Sequence, residues 1–263
     1  MLNSELFHKP AGSSSFYDYQ IDHSARFDRA DGSRLTGYAN NFGTGNRQKW
    51  TFSFWFKLTA SAGFGSNQYY IFTSATNSVG SYDTMIFDVD SSSRFYYQTV
   101  NKYLYPEGSF RDTTTWGHLV FVYDSANSTA TDRKIVYLNG TRLGDYDDQG
   151  LTQSAESQFN WGTKTHYIGA RQDLNASYFY DGYLAEVNFA DGQAYAPTQF
   201  GETKNGVWIP KDPSGTNYGT TGFHLKFENA SDLGNDSSGN NNDWTVSNMG
   251  TDHQSIQSPT HGN

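Results

Sequence analysis

Apolar residues fall at every second position through much of this chain, the period that puts alternate side chains on one side of an extended strand. In Thr51–Leu58, Phe52, Phe54, Phe56 and Leu58 share one face, which predicts a strand with that face in a core. Met85, Phe87 and Val89 repeat the pattern, as do Phe223, Leu225 and Phe227. Residues 116–123 are apolar on both faces, as expected of a central strand covered from two sides. Asn139-Gly140 divides two short strand-like runs, Lys134–Leu138 and Thr141–Leu143. An Asn-Gly pair tolerates the positive φ of a type I′ turn, so a hairpin is expected there. Tyr167–Gly169 and Tyr183–Phe189 read as further strands, and helical spacing is not sustained anywhere. Short strands separated by turns, with no helices between them, predict an all-β fold: a two-sheet antiparallel sandwich or jelly roll rather than a parallel α/β sheet.

Four stretches differ in texture. Residues 1–22 are polar, include Gly12-Ser13-Ser14-Ser15, and are expected to form an N-terminal arm. Residues 23–190 hold the strand pattern of the main domain. Residues 191–250 begin with a run from Asp191 to Gly222 that carries Pro197, Pro210 and Pro213 among Gly, Thr and Asn. This run reads as a long excursion, followed by final strands on the same sandwich. Trp208-Ile209 within it argues against disorder, because that pair is costly to leave in water. Residues 251–263 read as a tail.

Composition adds core and subtracts partners. Nineteen Tyr, 19 Phe and six Trp in 263 residues provide a large core from few positions, each buried aromatic removing about 150–250 Å² from water. A formal charge of −9 speaks against nucleic acid as a partner and against binding to anionic membranes. No run is apolar and long enough for a membrane helix, and the first ten residues lack the order of a signal peptide. With no Cys there is neither a disulfide framework nor a thiolate metal site, which suits folding in a reducing cytoplasm.

The ordered set Trp50–Leu58, Trp116–Val122, Ile135–Thr141, Tyr167-Ile168-Gly169-Ala170 and Gly182–Val187 resembles the laminin G-like, concanavalin A-like superfamily over residues 24–190. That resemblance implies the jelly roll. A narrower one covers Asp191–Ala194, Phe200-Gly201-Glu202, Gly206–Lys211, Gly222–Phe227 and Asp236–Trp244, which look like text found in structural proteins of marine bacteriophages. It implies a virion protein made in the host cytoplasm and displayed on the capsid or tail. The expected partners are other virion proteins, further copies in a homo-oligomer such as a trimer, and a host glycan. In such relatives the chain often continues after a segment like Ser258-Pro259-Thr260. The rival readings are a stand-alone carbohydrate-binding protein and a cryptic glycoside hydrolase.

No catalytic motif supports the hydrolase. Laminarinase-type relatives place alternate carboxylates on one strand as Glu-x-Asp-x-x-Glu, the arrangement retaining hydrolysis needs. Here Glu186 is followed by Asn188 where the middle carboxylate belongs, and Asp191 is out of register. No catalytic residue and no enzymatic activity are therefore expected. The one cofactor expected is calcium. In calcium-binding laminin G-like domains the ion sits at the sandwich rim, and the similar positions here are Asp83 and Asn160. For a glycan, the loop Arg171–Asp181 offers aromatic and polar groups together, with Asp173, Asn175, Tyr178 and Tyr180 as the candidate contacts.

Overall fold

The computed structural model describes residues 16–37, 43–59, 68–75, 82–89, 93–99, 102–148, 150–171 and 178–261. Two antiparallel sheets face each other. The first runs β10 (Thr141–Arg142), β9 (Lys134–Leu138), β8 (Gly117–Asp124), β3 (Lys49–Leu58), β13 (Gly182–Asp191), β1 (Ser24–Phe27) and β18 (Gln254–Ser255), with β16 (Phe223–Leu225) also paired to β13. The second runs β11 (Asp145–Asp148), β7 (Lys102–Pro106), β6 (Arg94–Thr99), β5 (Tyr82–Asp88), β4 (Gln68–Ala75), β12 (Thr165–Ile168), β2 (Arg34–Gly37) and β17 (Thr245–Ser247). A separate hairpin joins β14 (Gly201–Lys204) to β15 (Val207–Pro210). Helix among the described residues is limited to 3-10 turns of three residues. The two sheets and their antiparallel pairing are the expected jelly-roll sandwich.

Alternation sets which side chains meet between the sheets. Phe52, Phe54 and Phe56 of β3 join Met85 and Phe87 of β5, Phe95 and Tyr97 of β6, and Leu119 and Phe121 of β8 in one continuous core. Trp50 is fully buried at its centre, stacked on Phe121, Tyr123 and Phe189 with Phe159 edge-on. The Asn139-Gly140 hairpin forms as expected, with φ of +48° and +79° between β9 and β10.

The excursion accounts for the side of the first sheet that faces away from the core. Phe200 and Tyr195 pack on Val120 and Val122, and Trp208 packs with Trp55 and Ala185. Ile209 is buried, as its sequence context predicts. The arm and tail differ from expectation. Residues 1–15 lie outside the described residues, but from residue 16 the arm is docked on its own sandwich. Ile21 is buried beside Trp55, and the Tyr19 hydroxyl donates to Glu186 at 3.0 Å. The expected tail clasps it: Ile21 N–H donates to Thr260 Oγ1 at 3.0 Å, Ser258 Oγ donates to Ile21 C=O, and β18 pairs with β1. The Ile21 side chain inside an otherwise polar segment was the apolar anchor that averaging over residues 1–22 concealed.

Candidate functional site

The second sheet presents a different outer face. On β4, β5, β6 and β7 the residues that alternate with the core include Tyr70, Tyr82, Thr84, Ile86, Asp88, Arg94, Tyr96, Gln98, Tyr103 and Tyr105, and Tyr178 joins them from the loop before β13. Tyr70, Ile86 and Tyr96 form the floor, with Tyr103, Tyr105 and Tyr178 packed against it and half-buried. Tyr103 and Tyr105 stack at 5.6 Å, Tyr105 lies 5.2 Å from Tyr96, and Tyr178 meets Tyr70 edge-on at 5.6 Å. Two glutamines pin the hydroxyls. Gln68 Nε2 donates to Tyr96 Oη at 2.9 Å while its Oε1 accepts from Tyr70 at 3.5 Å. Gln98 Nε2 donates to Tyr82 Oη at 2.8 Å and to Tyr103 Oη at 3.1 Å. The floor rings are buried, and the half-buried Tyr103, Tyr105 and Tyr178 keep part of their rings at the surface beside hydroxyls and amides, the combination that suits a ligand with apolar faces and polar edges.

At one end of the face the Arg171 guanidinium lies 3.5 Å over the Tyr178 ring and 5.9 Å from that of Tyr70, a cation–π arrangement that fixes the loop aromatic. Burial pushes the Tyr70 phenol up to about 12, against the opposing pull of Arg171. Burial also raises Tyr96, with Tyr70 and Asp88 adding to it. The phenols of the floor therefore remain protonated hydroxyls, able both to donate and to accept.

The expected site residues are divided by the structure. Tyr178 belongs to this face. Tyr180 does not: it is fully buried, edge-on to Phe27 and Tyr69, with its hydroxyl within reach of the carbonyls of Lys57 and Tyr183 at 3.3 and 3.1 Å. Its candidate glycan role is corrected to a core role, because it has no surface to offer. Asp173 and Asn175 lie outside the described residues. The tyrosines of β4 to β7 were missed, although Tyr96, Tyr103 and Tyr105 alternate with core residues in the sequence and carried the signal.

Asp83 and Asn160 do not converge. Asp83 is wholly enclosed, its Oδ2 accepting from Tyr97 Oη at 2.8 Å, Ser157 Oγ at 2.6 Å and Gln158 N–H at 2.7 Å. Burial raises its pKa against these bonds. Asn160 has φ +62°, donates to Asp191 Oδ1 at 2.6 Å and to Asn46 C=O at 3.1 Å, and accepts from Thr221 Oγ1. The two side chains share no hydrogen-bond partner. A calcium shell needs six to eight oxygens, and no cluster of three or more acidic or histidine residues that could hold a metal ion occurs among the described residues. The pair singled out from the sequence does not fit the ion.

Groups with catalytic potential lie on the covered side and are committed elsewhere. Glu186 sits at the register shift in β13 with φ +48°, its carboxylate closed in by Tyr19 and by His224 Nε2 at 2.6 Å. Ser53 Oγ is 2.8 Å from His118 Nε2, but Trp208 Nε1–H donates to His118 Nδ1 at 3.0 Å. That donor leaves the ring proton on Nε2, so His118 is a donor to Ser53 and not a base for it. Burial lowers the His118 pKa to about 3.

Residues 31–199 match the model of a family described as the concanavalin A-like lectin/glucanases superfamily. By sequence, no curated protein matches the chain. Among solved structures, the fold is similar to that of a candidate carbohydrate-binding protein from Bacteroides ovatus, with a TM-score of 0.54 at 14% identity. That match covers 88% of this chain and 61% of the other, so this chain spans under two thirds of the Bacteroides protein. A SAP-like pentraxin from Limulus polyphemus aligns with a TM-score of 0.45 at 18% identity, over 69% of this chain and 81% of that one. The CBM40 domain of a Ruminococcus gnavus sialidase, bound to α2,3-sialyllactose, aligns with a TM-score of 0.41 at 10% identity, over 65% and 89%. At these identities the likeness is one of fold.

Proposed function

The chain belongs to the concanavalin A-like lectin/glucanase superfamily, and from that premise we propose that it binds carbohydrate through the tyrosine face of its second sheet, without catalysis. The observation that carries this reading is an asymmetry. The outer face of the first sheet is covered by the excursion and the docked arm, whereas that of the second carries a hydroxyl-pinned tyrosine cluster whose outer rings, Tyr103, Tyr105 and Tyr178, are half-buried. Sugars offer C–H faces to aromatic rings and hydroxyls to amides, and this surface has both. The absence of catalysis is supported by the placement of Glu186, Asp191 and His118, each held in a buried network away from that face.

Binding to a panel of soluble glycans should be saturable, and Tyr105→Ala or Tyr178→Ala should weaken it about tenfold. Wild-type affinity in both folded variants would remove the face from the function. Laminarin, agar, carrageenan and alginate should release no reducing ends on incubation. Turnover that disappears on mutating one Glu or Asp would restore the hydrolase reading.

A second, compatible reading is display on a phage particle. It is favoured by the C-terminal text described above, and by the placement of the described terminal segments on the first sheet, where Tyr19 and Ile21 pack and Ser258 and Thr260 bind Ile21. A body attached through that side would leave the tyrosine face turned outward. Mass spectrometry of purified particles should find the chain among their proteins; its absence there would favour a stand-alone binding protein.

A further inference from the structure

We propose that Asn205 is a site of spontaneous covalent change, at which the folded chain converts asparagine to aspartate and isoaspartate with water as the co-reactant. The sequence holds two Asn-Gly pairs, Asn139-Gly140 and Asn205-Gly206. Each forms the two-residue turn of a hairpin, β9 to β10 in the first case and β14 to β15 in the second. Their backbones match: φ is +48° and +79° in the first turn, and +52° and +80° in the second. Sequence and local geometry therefore give the two sites the same chemistry, and only the packing around them differs.

The reaction begins when the backbone nitrogen of the glycine attacks the side-chain carbonyl carbon of the asparagine. A new C–N bond forms, the C–N bond of the side-chain amide breaks, and the amide nitrogen leaves as ammonia with the proton of the glycine nitrogen. The product is a five-membered succinimide. Water then adds to one of its two carbonyls, leaving aspartate if one side opens and isoaspartate, whose main chain runs through the former side chain, if the other does. No electron is gained or lost, and either product carries a negative charge that the amide lacked. Glycine favours the attack because no side chain shields its nitrogen. The asparagine must rotate out of the closed turn to be attacked, so the rate follows the free energy of local opening.

Opening is hindered at one site and not at the other. Asn139 Oδ1 accepts from His118 N–H at 2.8 Å, and the Asn139 N–H donates to His118 C=O at 2.8 Å. The Trp208 indole lies so close over Gly140 that a Cβ there would come within 2.4 Å of it. Rotating Asn139 out of its turn breaks both bonds and disturbs the indole. Asn205, Gly206 and Val207 are exposed, and a Cβ on Gly206 would meet nothing within 4 Å. Among the described residues the Asn205 side chain has no hydrogen bond. Its turn closes on Lys204↔Val207, the end pair of a two-stranded sheet, and such ends open most readily. An isoaspartate at this position lengthens the main chain of the turn and takes that pair out of register.

The test is incubation of the whole folded protein at mildly alkaline pH, beside a sample unfolded in urea, with both asparagines followed by peptide mass spectrometry. In the unfolded sample the two should react at similar rates, since each is followed by glycine. In the folded sample Asn205 should react at least about tenfold faster than Asn139, whose opening must break hydrogen bonds that Asn205 does not have. The product should separate on ion exchange as a more acidic form with its β-sheet circular dichroism retained. Asn205→Gln, whose cyclic imide would need a six-membered ring and forms far more slowly, should not give that form. Equal rates at the two sites in the folded sample, or a faster reaction at Asn139, would overturn the proposal. So would an Asn205 that stays intact in the folded protein while the unfolded sample reacts.

Discussion

Tyr178 and Tyr180 are two residues apart and have opposite fates, which a period-two rule does not anticipate. The rule holds inside a strand, whereas residues 178–181 precede β13 and lie outside any strand. One ring lies under Arg171 on the outer side of the second sheet, and the other is enclosed between Phe27 and Tyr69. Tyr180→Phe should therefore destabilise the fold by about 1–2 kcal/mol through its lost buried hydrogen bond, leaving glycan affinity unchanged. Tyr178→Ala should do the reverse, with unfolding free energy within about 1 kcal/mol of wild type and affinity reduced. Denaturant unfolding paired with binding isotherms separates the two, and a Tyr180→Phe protein of wild-type stability would show that its hydroxyl contributes nothing. The Asp83 and Asn160 expectation fell short for a related reason. Sequence position places both residues near strand ends, but only the packed structure reveals that Ser157 and Gln158 claim the one and Asp191 the other.

The excursion that follows β13 was legible as an ordered, surface-covering segment from Trp208-Ile209-Pro210, but the slot that receives it was not. Trp208 lies between Gly140, in the β9–β10 turn, and Gly201 at the start of β14. A Cβ at either glycine would come within 2.4 or 2.5 Å of the indole. Together with the bond from Trp208 Nε1 to His118 Nδ1 and the Trp55–His118 stack at 4.6 Å, this locks the β14–β15 hairpin onto β3 and β8. Asn-Gly predicts a turn whatever lies above it, so the second reason for Gly140 was invisible in the sequence. Gly206, in the turn joining β14 to β15, supplies the control: its φ is +80°, close to the +79° of Gly140, and a Cβ there would meet nothing within 4 Å. Gly206→Ala should cost about 1–2 kcal/mol from backbone strain alone. Gly140→Ala should cost about 1–3 kcal/mol more, because the indole must move. In a Trp208→Ala background that difference should vanish. Equal costs for the two glycines in the wild-type background would mean that the indole does not occupy the slot.

Across the whole molecule, a core so rich in tyrosine and histidine ties stability to pH at both ends of the scale. The sandwich itself was legible from alternation and aromatic content, but the ionisation states of its buried groups depend on which rings the sheets enclose. Burial lowers His118 to about 3 and His166 to about 4, from 6.5. The unfolded chain therefore binds protons at these residues before the folded one does, and stability is lost as pH falls from about 6.5 toward 4, by up to about 1.4 kcal/mol per pH unit for each residue. Asp83, raised by burial, acts in the opposite sense over the acidic range and offsets part of that slope. His166→Phe should remove one histidine's share of the slope, read from denaturation midpoints between pH 4 and 6.5, and an unchanged slope would show that His166 titrates normally. The alkaline limb is steeper, because more groups act together. Burial raises Tyr97, Tyr123, Tyr180 and Tyr218 in the interior, and Tyr70 and Tyr96 in the tyrosine face. A folded pKa above the unfolded value of about 10 contributes stability that is present below pH 10 and lost as pH rises past it. With several such phenols releasing protons only on unfolding, the loss should reach several times 1.4 kcal/mol per pH unit, roughly 4–8 kcal/mol for each unit above pH 10. Tyrosinate absorbance should accordingly rise in two stages: a gradual one from exposed phenols near pH 10, then a cooperative one that coincides with loss of β-sheet circular dichroism. Saturating glycan, if it binds the tyrosine face, should move the second stage to higher pH, since it stabilises the folded state that keeps Tyr70 and Tyr96 protonated. A single gradual titration with the sheet signal intact would show that these phenols reach water without unfolding.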